Sequence, residues 1–260
     1  MVIDALADEI AAVAAEAGAL AMGRWRGELK TWEKVPGHPV CDVDLEVNQL
    51  IRERLRAIDP EAGWLSEETV DDAERLLVPR VWVVDPIDGT RDFIRGRPGW
   101  SVSIALCEGG DPLVGVLEAP ARGETWRAVA GKGTFRNGQR LVASSRTEFP
   151  GSRVPTDALP HVDRDLSIVD RPNSIALRIA MVAADEADLV ATIRWGHEWD
   201  IAAAVLIARE AGAHVTDAFG GVLRFNSTKG EAFGVVASSH GIHAAAIERL
   251  RERADKGIIR

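Results

Sequence analysis

The stretch VWVVDPIDGTRDF (81–93) runs four apolar residues straight into two aspartates three apart, followed by Gly89 and Thr90. Such a run reads as a buried strand. At its exit, Asp85 and Asp88 would repel each other and lose hydration. A divalent cation resolves both problems, and hard oxygen donors suit Mg2+. Pro86 stiffens the turn, and the Ile87 carbonyl between the acids is another oxygen donor. Gly89 lets a ligand approach the backbone closely. Thr90 adds a hydroxyl, and the amides of residues 89–91 could open a short phosphate-binding helix. A capped turn with solvated acids is the plain alternative, and thirteen residues do not choose between them.

Upstream, Ile3, Leu6, Ile10, Val13, Ala17 and Leu20 recur at helical spacing, predicting a helix over 2–24. DLEVNQLIRERLRAID predicts a second helix, with Asp44 at or near its N-cap and Pro60 beyond its end. Residues 64–145 carry strand signals, including SVSIALC, PLVGVLEA and a tight turn at Asn137-Gly138. They predict a mostly antiparallel sheet packed on the two helices. The proline-rich, polar segment 146–160 marks a lobe boundary. Beyond it strands and helices alternate, predicting a smaller mixed α/β lobe. The expected architecture is layered α/β in two lobes, 1–146 and 147–260.

Further acids stand where strands end or helices begin. Glu67 and Glu68 follow the apolar GWLS, whereas Asp71, Asp72 and Glu74 read as a solvated helix start. Asp200 begins the apolar helix WDIAAAVLIAREAG, where a simple cap is the plain alternative. Two rival motifs fail. An EF-hand loop starting at Asp85 would have Gly96 at its closing position and a proline inside it. The DxD of haloacid dehalogenase phosphatases needs one residue between its acids, not two. AGKGT (130–134) lacks phosphate-loop spacing and reads as part of a hairpin. The six histidines are scattered, and His240 and His243 read as surface structure.

Asp44, then SEE, then DPIDGT, then WD before an apolar helix, in this order, resembles the inositol monophosphatase family of Mg2+-dependent, lithium-sensitive phosphatases. The likeness extends through GWSVSIAL, GVLEAP, AVAGKGTFRNG and EAGAHVTDAFGGVLRFN. The resemblance implies a layered αβαβα fold with two or three Mg2+ ions between the lobes. It implies Glu67, Asp85 and the Ile87 carbonyl at one ion, and Asp85, Asp88 and Asp200 at a second. Glu67 shares a weaker third. Gly89 and Thr90 would contact the substrate phosphate, with Asp88 and Asp200 beside the substrate. Asp44 would pair with Thr90 to position the attacking water, and Glu68 is a further acid of the motif. Lithium should inhibit by displacing one Mg2+. A homodimer is expected on the same ground.

DGTRDF, HEWD and LRIAMVAADEADL are closer to the CysQ-type 3'(2'),5'-bisphosphate nucleotidases than to inositol monophosphatases, whereas NSIALR departs from that subgroup. The subgroup implies 3'-phosphoadenosine 5'-phosphate as substrate, a place in sulfur metabolism, and Arg178 at a second phosphate. Inositol 1-phosphate is the alternative substrate. A non-catalytic regulatory relative that binds metal or phosphate is the alternative of another class. The net charge of −9 argues against a nucleic-acid partner. The N-terminus lacks a basic signal-peptide region, no run is apolar enough to span a bilayer, and Cys41 and Cys107 form no CxxC. These features point to a cytoplasmic protein acting on a small phosphate ester.

Overall fold

A computed structural model describes residues 3–258. Its layers run helix, sheet, helix, sheet, helix. The predicted N-terminal helix is α1 (Ile3–Arg24), Val2 lying outside the described residues. A hairpin of β1 (Thr31–Glu33) and β2 (Pro39–Cys41) leads into α2 (Asp42–Ile58). The central sheet comprises β3 (Gly63–Ser66), β4 (Arg80–Asp88), β5 (Ser101–Glu108), β6 (Asp111–Ala119), β7 (Glu124–Val129), β8 (Gly133–Arg136) and β9 (Gln139–Arg140), in that order. The five-residue α3 (Thr90–Ile94) follows β4. Within this sheet only β3 and β4 pair in parallel. The turn between β8 and β9 places Asn137 and Gly138 at φ 50° and 77°, as a tight hairpin turn demands.

Beyond residue 146, β10 (Arg153–Pro155) and β11 (Ser167–Val169) form a small parallel pair. Then come α4 (Ile175–Ala183), β12 (Leu189–His197), α5 (Ala202–Glu210), β13 (His214–Thr216), β14 (Glu231–Ser238) and α6 (His243–Gly257). The second sheet has the antiparallel order β12-β14-β13. Every residue from Ala202 to Ala208 is buried, because α5 lies between the two sheets. At the tightest approach, a Cβ on Gly115 of β6 would sit 2.7 Å from the Ala203 carbonyl.

The strand β4 sorts its side chains by the pleat. Trp82 and Val84 pack with α1 and α2, and Val81 and Val83 pack with α4 and α5. By strict alternation Asp85 and Asp88 would point to opposite faces. They do not, because the register slips. Asp85 pairs with Ser103 and Asp88 with Ser101, so β4 spends one extra residue there. Pro86 lies in this bulge, where no ladder amide is needed. Ile87 accordingly joins the α1/α2 core, and both aspartates face the α4/α5 side.

Candidate active site

The acids converge at the C-terminal end of β4. Carboxylate oxygens of Glu67, Asp85 and Asp200 all lie within 4.8 Å of one another. Glu67 comes from the loop after β3, Asp85 from β4, and Asp200 from the turn before α5. Burial, compounded by Glu67, Asp88, Asp200 and Asp44, drives the Asp85 carboxyl well above its ordinary range. Burial does the same to Asp200, with Asp88 and Glu67 as the nearby charges. Asp85 and Asp200 cannot both remain ionised so close together without a counter-charge. The donor set contains only oxygen, with no imidazole or thiolate. It therefore fits a hard ion such as Mg2+.

Lys34, after β1, supplies part of the counter-charge from the protein itself. Its ammonium bonds the Glu68 carboxylate and the Glu67 carbonyl (3.2 Å), and lies 3.5 Å from the Glu67 carboxylate. Burial raises Glu68 to about 7 despite that partner.

Asp88 faces the same cleft but stands apart from the trio. Its Oδ2 accepts hydrogen bonds from Ser174 Oγ (2.5 Å) and the Ala176 amide (2.8 Å), and Oδ1 accepts from the Ile175 amide (3.3 Å). The carboxylate thus closes the N-terminus of α4, where a negative charge is favourable. Burial nevertheless raises it to about 6.

Gly89 has φ +95°, and a Cβ there would meet the Gly99 carbonyl at 2.7 Å and the Ser174 amide at 2.9 Å, so only glycine fits. It caps α3: the amides of Asp92 (2.8 Å) and Phe93 (3.2 Å) bond the Gly89 carbonyl, and those of Thr90 and Arg91 precede the first intrahelical bond. Thr90 Oγ1 shares one proton between the Ile87 carbonyl (3.0 Å) and Asp44 Oδ1 (3.2 Å). Asp44 is not the N-cap of α2, as the sequence suggested. Cys41 is, and Asp44 lies three residues on, its carboxylate accepting the Cys41 amide. Burial lifts Asp44 to about 6.

Asp200 also departs from its expected place. The helix starts two residues later, at Ala202, with Ile201 at the cap, so the Asp200 side chain is left for the cleft. Glu198 faces away from the cleft. It is fully buried and accepts the amides of Asn226 (2.6 Å) and Ser227 (3.0 Å). Replacing Glu198 with Ala leaves two part-buried amides without an acceptor, and should cost about 2 kcal/mol in a urea titration. His243 corrects another expectation. It is buried, bonded to Thr216 and Ser238 and stacked on His214.

Glu67, Asp85, Ile87, Asp88, Gly89, Thr90, Arg178 and Asp200 line one cleft of about 490 Å3. Its wall also holds Arg171 and Arg194, which the sequence did not single out. Arg171 pairs with Asp157. Arg178 donates to the carbonyls of Ser174 (3.3 Å) and Asn173 (3.2 Å). Burial, with Arg171 and Arg194 nearby, lowers Arg178 to about 10. Carboxylates and guanidinium groups therefore line the same cleft.

The inositol monophosphatase family model matches residues 4–256. A Thermotoga maritima protein named fructose-1,6-bisphosphatase/inositol-1-monophosphatase is 34% identical over 212 residues, covering 77% of this chain and 80% of that one. A histidinol-phosphatase of Mycobacterium tuberculosis is 34% identical over 194 residues, covering 68% and 74%. The solved structure of a Thermotoga maritima IMPase superposes with a TM-score of 0.83 at 29% identity, covering 97% of this chain and 99% of that chain. The chain belongs to the inositol monophosphatase family. It is a metal-dependent phosphomonoesterase, as members of that family are.

Proposed function

We propose that the chain hydrolyses a small phosphate monoester bearing a second anionic group, with 3'-phosphoadenosine 5'-phosphate as first candidate and AMP and phosphate as products. The observation that carries this reading is the presence of Arg171, Arg178 and Arg194 in the same cleft as the carboxylates. A second phosphate on the substrate is an anion that these guanidinium groups can meet beyond their partners within the protein.

In this reading Glu67, Asp85, the Ile87 carbonyl, Asp88 and Asp200 hold two Mg2+ ions, with a weaker third at Glu67. Bound there, the ions supply Lewis acidity and neutralise charge on the phosphoryl oxygens. The residues of the chain do the rest. Gly89, Thr90 and the first-turn amides of α3 orient the phosphate. Asp44 and Thr90 position the attacking water and take up its proton. Water adds to phosphorus as its proton passes by way of Thr90 to Asp44, the ester P–O bond breaks, and the leaving oxygen takes a proton from solvent water. The division into lobes 1–146 and 147–260, with the cluster between them, and a homodimer belong to the same reading. A cytoplasmic setting also does, supported by two free buried cysteines.

Arg178→Ala should raise KM for 3'-phosphoadenosine 5'-phosphate about tenfold and leave that for inositol 1-phosphate within about twofold. Steady-state phosphate release on both esters measures this. Equal effects would remove Arg178 from second-anion binding. Inositol 1-phosphate is the second reading, favoured by the name of the Thermotoga maritima relative, fructose-1,6-bisphosphatase/inositol-1-monophosphatase. A wild-type preference for it in kcat/KM would replace the first.

A further inference from the structure

Asp44 is held from two sides. Oδ1 faces Thr90, whereas Oδ2 receives both the Cys41 amide (2.8 Å) and the Cys41 thiol (2.9 Å). Cys41 is fully buried at the N-cap of α2, a position where serine or threonine is the usual choice. Its sulfur also accepts from the Asp44 amide, completing a reciprocal cap. Burial pushes the thiol's own pKa up, so it stays protonated and remains a donor.

We propose that Cys41 is a positioning residue for catalysis, its thiol fixing the Asp44 carboxylate so that the other oxygen faces Thr90. The proposal rests on the role given to Asp44 and Thr90 above. Both donors act on one oxygen, which locks the carboxylate plane and leaves Oδ1 to Thr90. A donor to a buried carboxylate also favours its ionised form, the form able to accept a proton from water. Without the thiol, Oδ2 keeps one donor and the carboxylate can turn about its Cβ–Cγ bond. Thr90 would then keep only the Ile87 carbonyl as acceptor, and its hydroxyl would no longer be aimed at Asp44. The thiol never touches substrate, so its effect should fall on kcat rather than KM.

The test combines a spectrum with kinetics. The protein has two cysteines, and Cys107 lies in the apolar core, so its S–H stretching band is an internal reference assigned with Cys107→Ala. The Cys41 band should appear at lower wavenumber in the Raman spectrum and move back in Asp44→Asn. Cys41→Ala should lower kcat about tenfold with KM within about twofold, and Cys41→Ser should restore it. In an Asp44→Asn background, Cys41→Ala should cause no further loss of residual kcat. A purely structural role would instead add its loss there. Coincident S–H bands, unchanged kcat in Cys41→Ala, or additive losses would overturn the proposal. Full turnover in Asp44→Asn would overturn it through the role of Asp44 itself. A displaced Cys41 band would then identify that failure, because the contact would persist without consequence for catalysis.

Discussion

Asp85→Asn should abolish turnover, by more than a thousandfold in kcat, and yet stabilise the metal-free protein at pH 7.5. The two effects share one cause. Asp85 sits among Glu67, Asp88, Asp200 and Asp44, and burial with those neighbours already opposes its ionisation. Asparagine keeps the shape and removes the charge. The metal-free fold is relieved of repulsion, and the melting temperature in EDTA should rise by about 5 °C or more. The same change removes an anionic ligand from the centre of the donor set, so added Mg2+ should no longer raise the melting temperature. Calorimetry with EDTA and with Mg2+, beside phosphate-release rates, checks both halves. An unchanged metal-free melting temperature would mean that the cluster is not under electrostatic load.

The second large effect is the pH dependence of stability without metal. Asp44 and Asp88 are raised to about 6 and Glu68 to about 7, in each case chiefly by burial. A carboxyl whose folded pKa exceeds its unfolded value binds more protons in the folded state between the two values. Stability must then fall as pH rises through that window, here from about 4 to about 7. For Asp44 the shift from 3.8 to about 6 corresponds to roughly 3 kcal/mol lost by pH 7.5. Mg2+ should reverse the trend, since it binds the ionised forms. Its stabilising increment should grow from pH 5 to pH 7.5. A metal-free melting temperature that climbs over this range would contradict the assignment of load to these carboxyls.

Much of this site was legible in the sequence because strand exits and helix starts are where side chains are positioned. VWVV followed by Asp85 declared the buried strand, and Glu67 and Asp200 stand at comparable junctions. The bulge was not legible. Period-two reasoning sends Asp85 and Asp88 to opposite faces, and only the slip against Ser101 and Ser103 reunites them. Cap positions were misread by a few residues. Asp44 and Asp200 look like caps by residue type, but Cys41 and Ile201 hold those places, and both carboxylates are thereby left for the cleft. The guanidinium groups of the cleft were only partly visible. Arg178 lies on a recognisable helix, whereas Arg171 and Arg194 reach the cleft from the loop after β11 and from the irregular part of β12. His243 looked exposed because its buried partners, Thr216 and Ser238, come from β13 and β14. Nothing in the local pattern announces such long-range contacts.

The measurement that tests the central claim most directly is phosphate release by EDTA-stripped protein as Mg2+ is added back, with Asp200→Asn alongside. With 3'-phosphoadenosine 5'-phosphate and inositol 1-phosphate offered separately, the stripped protein should be silent. Turnover of at least one ester should return with Mg2+ in the wild type and stay absent in the variant. Turnover that persists in EDTA, or that returns fully in Asp200→Asn, would contradict a metal centre built on Glu67, Asp85 and Asp200.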